Sequence, residues 1–477
     1  PLEIVSTRQW YISNGGKDET LRNRLIELGK DLNFVPDFMR VRYENWVNGL
    51  TGDWLISRQR FFGVPIPVWY ALDADGNPDF DKVLTPTDEQ LPIDPSVDVP
   101  NGYQENQRNQ PNGFIGEVDI MDTWATSSLT PQLAGGWQSD PELFEKVFPY
   151  ALRPQGQDII RTWLFSTVLR SEQEHGELPW KNAAISGWIL DPDRKKMSKS
   201  KGNVVVPIEP IQENGADAVR YWAASARLGT DAAYDTGMMK VGRKLAVKIL
   251  NAAKFVLSFE SPKTANVTEN IDQALLLELA DVVRNATEAF ENYDHAKSLE
   301  LTEKFFWNFT DDYLELVKER AYGQGGVTEE QQASAVAALR KALHTMLRLF
   351  APFLPYVTDE VWSWWQSNLD TGKLTSIHRQ SWPTVEELTD GLDQSNHGLL
   401  ELAATALFGV RKAKSDAKVS MKAPVESATL QAPAAVLTSL RAFEQDVKSV
   451  GKIETLAFAE AEDLALTDVV LAEVTEG

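Results

Sequence analysis

Between residues 237 and 370 apolar side chains recur with a helical period, segment after segment. Val241 to Phe259, Ile271 to Tyr293, Ala296 to Tyr322 and Glu329 to Phe350 each carry the 3.6-residue spacing of one buried helix face. Short breaks separate them, and Pro352 and Pro355 precede a fifth helix. A helix with an apolar stripe must bury it, and successive helices on short connections bury theirs against one another. This stretch can therefore fold only as a helix bundle, and the rest of the chain must be built around that.

Upstream the rhythm differs. Ala151-Leu152-Arg153-Pro154 reads as a short strand, and Asp158 opens a helix running to about Arg170. Ala183 to Leu190 reads as an apolar strand, followed by a polar loop and a helix from Gly215-Ala216-Asp217. Strand, helix, strand, loop, helix is the order of a parallel α/β sheet, whose ligands bind at the carboxyl ends of strands. Helices are expected at Thr20–Leu32 and Pro36–Leu50, and residues 71–112 read as an irregular surface insertion. The last 80 or so residues predict helices near 397–415 and 434–448, then strands at Ile453–Phe458 and Val469–Val474.

Composition removes several classes of function. There is no Cys, which excludes a disulfide scaffold, a thiol nucleophile and any Cys-built zinc or iron–sulfur site. The five His are scattered, so no His-rich metal centre is expected. No apolar run approaches the roughly 20 residues that span a bilayer, so no membrane association is expected. The chain begins Pro1-Leu2-Glu3-Ile4, neither a signal peptide nor a Met start. It reads as a soluble, cytoplasmic, monomeric piece of something longer. The net charge of −22 repels a phosphate backbone at long range, so nucleic acid must be met by local basic clusters.

The densest such cluster is Arg194-Lys195-Lys196-Met197-Ser198-Lys199-Ser200-Lys201, directly after the apolar strand that ends at Leu190. An ordinary Lys/Arg octamer is usually a solvated charge run. Here two lysines three apart on a loop can both reach a polyphosphate, with Ser and backbone N–H groups as neutral donors. Phosphoryl and adenylyl transfer need this kind of positioning and charge neutralisation.

The string Lys196-Met197-Ser198-Lys199-Ser200 resembles the second signature of the class I aminoacyl-tRNA synthetases. The similarity extends to the subgroup for branched aliphatic amino acids in Asp53-Trp54-Leu55-Ile56-Ser57-Arg58-Gln59, Asp122-Thr123-Trp124-Ala125-Thr126-Ser127-Ser128 and Arg153-Pro154-Gln155-Gly156-Gln157-Asp158. Leu349 to Tyr356 is similar to a helix of the anticodon-binding bundle. Asp311-Asp312-Tyr313-Leu314-Glu315-Leu316-Val317-Lys318 and Tyr234-Asp235-Thr236-Gly237 resemble the valyl members most; an isoleucyl-type fragment and a non-catalytic tRNA-binding paralogue are the alternatives.

The resemblance implies α/β plus all-α architecture. Residues 1–236 would be the C-terminal half of a catalytic Rossmann-like domain, with the insertion near 71–112. Residues 237–392 would be the anticodon-binding bundle and 393–477 a small α+β subdomain. It implies ATP, arriving with Mg²⁺, valine and tRNA(Val) as partners; the Cys pairs of the zinc knuckle that many relatives carry near residues 71–112 are absent here, so no protein-bound zinc is expected. It implies catalytic roles for Lys196, Lys199 and Ser198. Lys199 and Ser198 would contact ATP phosphates, Gly156 would admit the nucleotide and Asp158 would accept from its ribose. Trp124 would wall the amino-acid pocket; Trp69 is a weaker second wall that reads more readily as a core aromatic, and Arg58 and Arg60 would either meet tRNA phosphates or sit in partly buried ion pairs. Two family features are absent: the His-x-Gly-His first signature and the editing domain. The chain is thus expected to be inactive alone, as the C-terminal part of a ligase.

Overall fold

In the computed structural model, residues 6–262, 266–367 and 375–472 are described. They form two compact units: Pro1–Trp188 with Leu228–Asp231, and Ile189–Arg227 with Ala232–Gly477.

The first unit is built on a three-stranded parallel sheet in the order Asn33–Val35, Trp180–Ser186, Tyr150–Gly156. The parallel reading of the sequence holds, with one strand, Asn33–Val35, that is too short to announce itself. The helix Glu19–Asp31 buries Leu25 and Leu28, and Leu32 just beyond it, on the spacing seen in the sequence. The expected second helix starts late. Asp37–Met39 forms a 3₁₀ turn, and only Arg40–Asn48 is α-helical. Tyr43 from this helix is fully buried and donates to the Leu25 carbonyl, 3.0 Å away.

The strand expected at Ala183–Leu190 stops at Ser186. A Cβ on Gly187 would lie 2.1 Å from the Thr230 carbonyl oxygen, so the chain passes here only as glycine. Ile189–Leu190 resumes as a separate strand in the second unit. The helix after Asp158 is also remade. Gln157–Ile159 is a 3₁₀ turn, Ile160–Leu164 a π turn, and Phe165–His175 the α-helix.

The insertion is more ordered than its composition implies. Pro78–Leu84, Trp69–Leu72 and Phe114–Gly116 make an antiparallel sheet. The Asp73 carboxylate closes the hairpin by accepting from the backbone of Asp75 (2.9 Å) and Asn77 (2.8 Å). Trp69 is fully buried and donates from Nε1 to the Asp98 carbonyl at 3.0 Å. Arg108 donates to the carbonyls of Pro95 (2.9 Å) and Asp98 (2.8 Å), which fastens the loop beyond the hairpin.

In the second unit the bundle is as expected, with one interruption. Its helices are Thr236–Leu257, Asn270–Glu291, His295–Asn308, Leu314–Ala321, Glu329–Phe350 and Pro355–Ser367. The segment read as one helix from Ala296 to Tyr322 is split by a π turn at Phe309–Tyr313. The turn is fixed by burial: Tyr313 is fully buried, and its hydroxyl donates to Asp272 at 2.7 Å.

Asp272 itself is sealed in the core and meets Arg320 through two hydrogen bonds of 2.6 and 2.7 Å. Arg320 turns its other edge to Asp446 at 3.1 and 3.2 Å. With Ser334 of the helix Glu329–Phe350, whose hydroxyl donates to Asp272 at 2.7 Å, this buried cluster ties three bundle helices to the helix Glu444–Gly451 of the C-terminal region.

That region holds a sheet with Val425–Ala432 at its centre, parallel to Ile453–Glu460 and antiparallel to Ala465–Leu471. The central strand was not anticipated. The helix expected at 434–448 is two, Ala434–Arg441 and Glu444–Gly451. The last strand begins four residues before the expected Val469, and residues 473–474 of that expectation lie outside the described residues. Among the described residues, no helix is long and apolar enough to cross a membrane.

Arg320→Leu leaves two buried carboxylates without their cation. It is expected to destabilise the second unit by about 3–5 kcal/mol, read as a fall in the urea unfolding midpoint. A loss below about 1 kcal/mol, the worth of a surface pair, would show that the cluster does not hold these helices together.

Candidate active site

The lysine-rich loop belongs to the second unit and is a closed structure. Ile189–Leu190 pairs in parallel with Ala232–Ala233, and the Tyr234 N–H donates to the Leu190 carbonyl at 2.8 Å. Leu190 then bridges to Lys196, so the chain folds back on itself within six residues.

Asp191 sits at the neck, 7 % exposed. Its carboxylate accepts from the Lys195 N–H at 2.7 Å and from the Asn203 side-chain amide at 2.8 Å. Asn203 closes the circle: its amide oxygen accepts from the Ser198 N–H at 2.9 Å, and its nitrogen donates to the Lys196 carbonyl at 3.2 Å. The Asn203 bond, then the Lys195 backbone, hold the Asp191 carboxyl below the usual carboxylate range. Because its pKa is lowered on folding, this support persists above the ordinary carboxylate range and is lost as the pH falls through the depressed value.

Lys199–Lys201 forms a 3₁₀ turn ended by Gly202 at φ 66°. The hydroxyls of Ser198 and Ser200 lie 3.2 Å apart. Lys196 and Lys199 are exposed, and the Lys199 ammonium has no ion pair or hydrogen bond among the described residues. The loop therefore presents an exposed, unpaired Lys199 ammonium on a hydrogen-bonded ring, with hydroxyl donors beside it.

The first unit carries the other motifs. Gly156 ends the strand Tyr150–Gly156, and a Cβ there would lie 2.8 Å from the Asp158 carboxylate. Asp158 is exposed in the 3₁₀ turn and is not spent as a helix cap. Asp231 fixes the neighbouring backbone, accepting from Gln157 Nε2 at 3.1 Å and from the Trp188 N–H at 2.8 Å. The half-buried Trp124 lies on the short helix Thr123–Ser127. Trp163 Nε1 donates to the Ser127 carbonyl at 3.1 Å, which brings that helix against the turn after Gly156. Trp69 stands apart, enclosed in the antiparallel sheet with no exposed surface, as a core aromatic.

Arg58 is not free for a phosphate. It pairs with Asp122 at 2.9 Å and donates to the Leu55 and Ser57 carbonyls. Arg60 is exposed and unpartnered among the described residues.

Three residues were missed by sequence reasoning. Asp191 and Asn203 were inside the quoted loop, but their signal was only the spacing of two polar residues around the lysines. Arg153 lies buried over the rings of Trp163 and Trp180 with no carboxylate partner among the described residues, and burial pulls its guanidinium down to about 9. Among the described residues no group of His, Asp or Glu is arranged to hold a metal ion.

A parallel sheet, this loop and a helix bundle together define a class. Residues 3–235 match the family of class I tRNA synthetases for I, L, M and V, and residues 272–430 match the anticodon-binding domain of tRNA ligases. Residues 3–235 are thus of the class I tRNA synthetase family and residues 272–430 of the anticodon-binding family. Over its whole length it is 58 % identical to a valine–tRNA ligase of Leifsonia xyli subsp. xyli, covering 55 % of that protein. It is also 58 % identical to a valine–tRNA ligase of Thermobifida fusca, with 99 % of this chain and 53 % of the relative aligned. The chain thus spans about half the length of the curated relatives it matches.

In fold it is similar to a LeuRS from Agrobacterium radiobacter K84, solved as a ternary complex with tRNA and LeuAMS. The TM-score is 0.53 at 18 % identity, over 87 % of this chain and 52 % of that one.

Asn203→Ala removes both closures of the ring while touching no phosphate. It should raise the rate of tryptic cleavage between Lys195 and Lys201 by roughly tenfold or more, the scale of one charge-assisted hydrogen bond. An unchanged cleavage rate would mean that the ring does not depend on Asn203.

Proposed function

We propose that this chain serves valine–tRNA ligation: ATP-dependent activation of valine, then transfer of valine to tRNA(Val). The observation that carries this reading is 58 % identity to valine–tRNA ligases across the entire chain, with the lysine loop intact and its ring closed. In the assembled ligase the chain supplies the phosphate-binding loop and the anticodon-binding bundle. Residues 1–236 serve as the second half of the catalytic domain, 237–392 as the bundle and 393–477 as an appended subdomain.

In the first step a valine carboxylate oxygen attacks the α-phosphorus of ATP, which arrives with its Mg²⁺, and pyrophosphate leaves. Negative charge grows on the departing phosphates, and a preorganised cation there lowers the barrier. We assign that cation to Lys199, with Lys196 in support and Ser198 as a neutral donor. Gly156 leaves room for the nucleoside, and Asp158, exposed and unspent, accepts from the ribose hydroxyls. Trp124 walls the aliphatic pocket. In the second step a ribose hydroxyl at the tRNA terminus attacks the acyl carbon and AMP leaves. Arg60 is offered to the tRNA backbone, whereas Arg58 is held back by Asp122.

A dry aliphatic pocket separates near-isosteres poorly; valine against threonine at about 10² is a standard illustration drawn from this enzyme class.

In the active ligase, Lys199→Ala should slow valine-dependent ATP–pyrophosphate exchange by roughly 10²–10³, with Lys199→Arg recovering part of the loss. An unchanged exchange rate would remove Lys199 from the reaction.

A further inference from the structure

An asparagine followed by glycine is open to attack from within the chain. Glycine has no Cβ to hinder its own nitrogen, so that nitrogen can reach the asparagine side-chain amide. The sequence contains five such steps, at Asn14, Asn48, Asn101, Asn112 and Asn214. None belongs to a motif quoted above, and the fold treats them unequally.

Asn14 and Gly15 are buried, and the Asn14 amide oxygen accepts from the Gly16 N–H at 2.9 Å. Gly49 closes the helix Arg40–Asn48, its N–H donating to the Asn45 carbonyl at 3.1 Å. The Gly215 N–H ends the helix Ile208–Asn214 by donating to the Ile211 carbonyl at 2.8 Å. The Gly113 N–H donates to the Gln110 carbonyl at 2.9 Å, and a Cβ on Gly113 would lie 1.9 Å from the Gln107 carbonyl oxygen. At each of these steps the reaction waits on local opening of the structure.

Asn101–Gly102 differs. Both residues are exposed, in a turn closed by the Tyr103 N–H on the Pro100 carbonyl at 3.2 Å. The Gly102 N–H has no hydrogen bond among the described residues, and a Cβ added to Gly102 would meet nothing within 4 Å. Gly102 sits at φ 85°. As glycine it accepts either sign of φ, so the Asn101–Gly102 peptide can turn toward the side chain without strain. The Asn101 amide faces Gln90: its Oδ1 accepts from Gln90 Nε2 at 2.9 Å, and its Nδ2 donates to Gln90 Oε1 at 2.9 Å. A donor already on Oδ1 stabilises the negative charge that gathers there when a nucleophile adds to Cγ.

We propose that Asn101–Gly102 is a site of spontaneous deamidation and isomerisation in the folded protein. Hydroxide takes the Gly102 N–H proton, and the nitrogen's electron pair forms a bond to Asn101 Cγ. The Cγ–Nδ2 bond breaks, and its nitrogen leaves as ammonia with a proton from water. The product is a five-membered succinimide. Water then opens it: attack at Cγ gives aspartate, and attack at the backbone carbon gives isoaspartate, in which Cγ carries the main chain. The net change is one water consumed and one ammonia released. Either product lacks the Nδ2 donor, so the bond to Gln90 Oε1 is lost. The assignment does not depend on the ligase reading.

The test incubates the full chain at mildly alkaline pH, once folded and once in urea. Digests are followed by mass spectrometry for amide-to-acid conversion at all five steps, with aspartyl and isoaspartyl peptides separated by chromatography. In the folded chain Asn101 is expected to convert at least ~10-fold faster than each of the other four, which must first open. In urea, where no step is protected, the five rates should converge. Gly102→Ala hinders the attacking nitrogen and should abolish the lead of Asn101 in the folded chain. The proposal is overturned if Asn101 converts no faster than Asn48, Asn112 or Asn214 in the folded chain, or if Gly102→Ala leaves its rate unchanged. A lead that persists undiminished in urea also overturns it, since the fold would then not be the cause.

Discussion

Everything proposed for the lysine loop depends on one carboxylate. Asp191 is all but buried at the loop's neck, and it accepts from both ends of the segment that carries the signature lysines. A polar loop of a dozen residues would otherwise sample many conformations, and each residue fixed costs about 1–2 kcal/mol. The Asp191–Asn203 ring confines the freedom to the lysine side chains. The backbone that presents them is preorganised, which is where electrostatic catalysis gains its advantage. Tyr234 and Asp235, which entered only as a family marker, also have structural work at the base of the loop and at the start of the next helix. Tyr234 donates to Leu190 at the base of the loop, and Asp235 caps the helix Thr236–Leu257 by accepting from Met238 N–H at 3.1 Å.

The second valyl-like marker, Asp311 to Lys318, likewise has a physical meaning away from any substrate. Tyr313 and the nearby Arg320 converge on Asp272, and Asp312 holds Arg411. These residues fix how the C-terminal helices seat on the bundle.

Much of this was legible in the sequence because period and burial agree. Leu275, Leu279 and Val283 of the helix Asn270–Glu291, and Leu339, Leu343, Met346 and Phe350 of the helix Glu329–Phe350, are spaced by 3 or 4 and lie in the core. What was not legible has a common cause, since it depends on partners remote in sequence. The break at Gly187 is set by Thr230, the π turn by Asp272, and the order of the insertion by Trp69 reaching Asp98. Trp69 and Arg58 each carried two readings in the sequence, a ligand role and a packing or ion-pair role, and the fold places Trp69 in a core and Arg58 on Asp122.

The central claim is that the ring closed by Asp191 and Asn203 presents Lys199 to the phosphates of ATP. Backbone hydrogen exchange across residues 191–203, followed with and without ATP, tests it most directly. The account predicts slower exchange at residues 196–202 on adding ATP, with the ring amides of Lys195 and Ser198 already slow before it is added. Exchange that is fast throughout the loop and indifferent to ATP would contradict it.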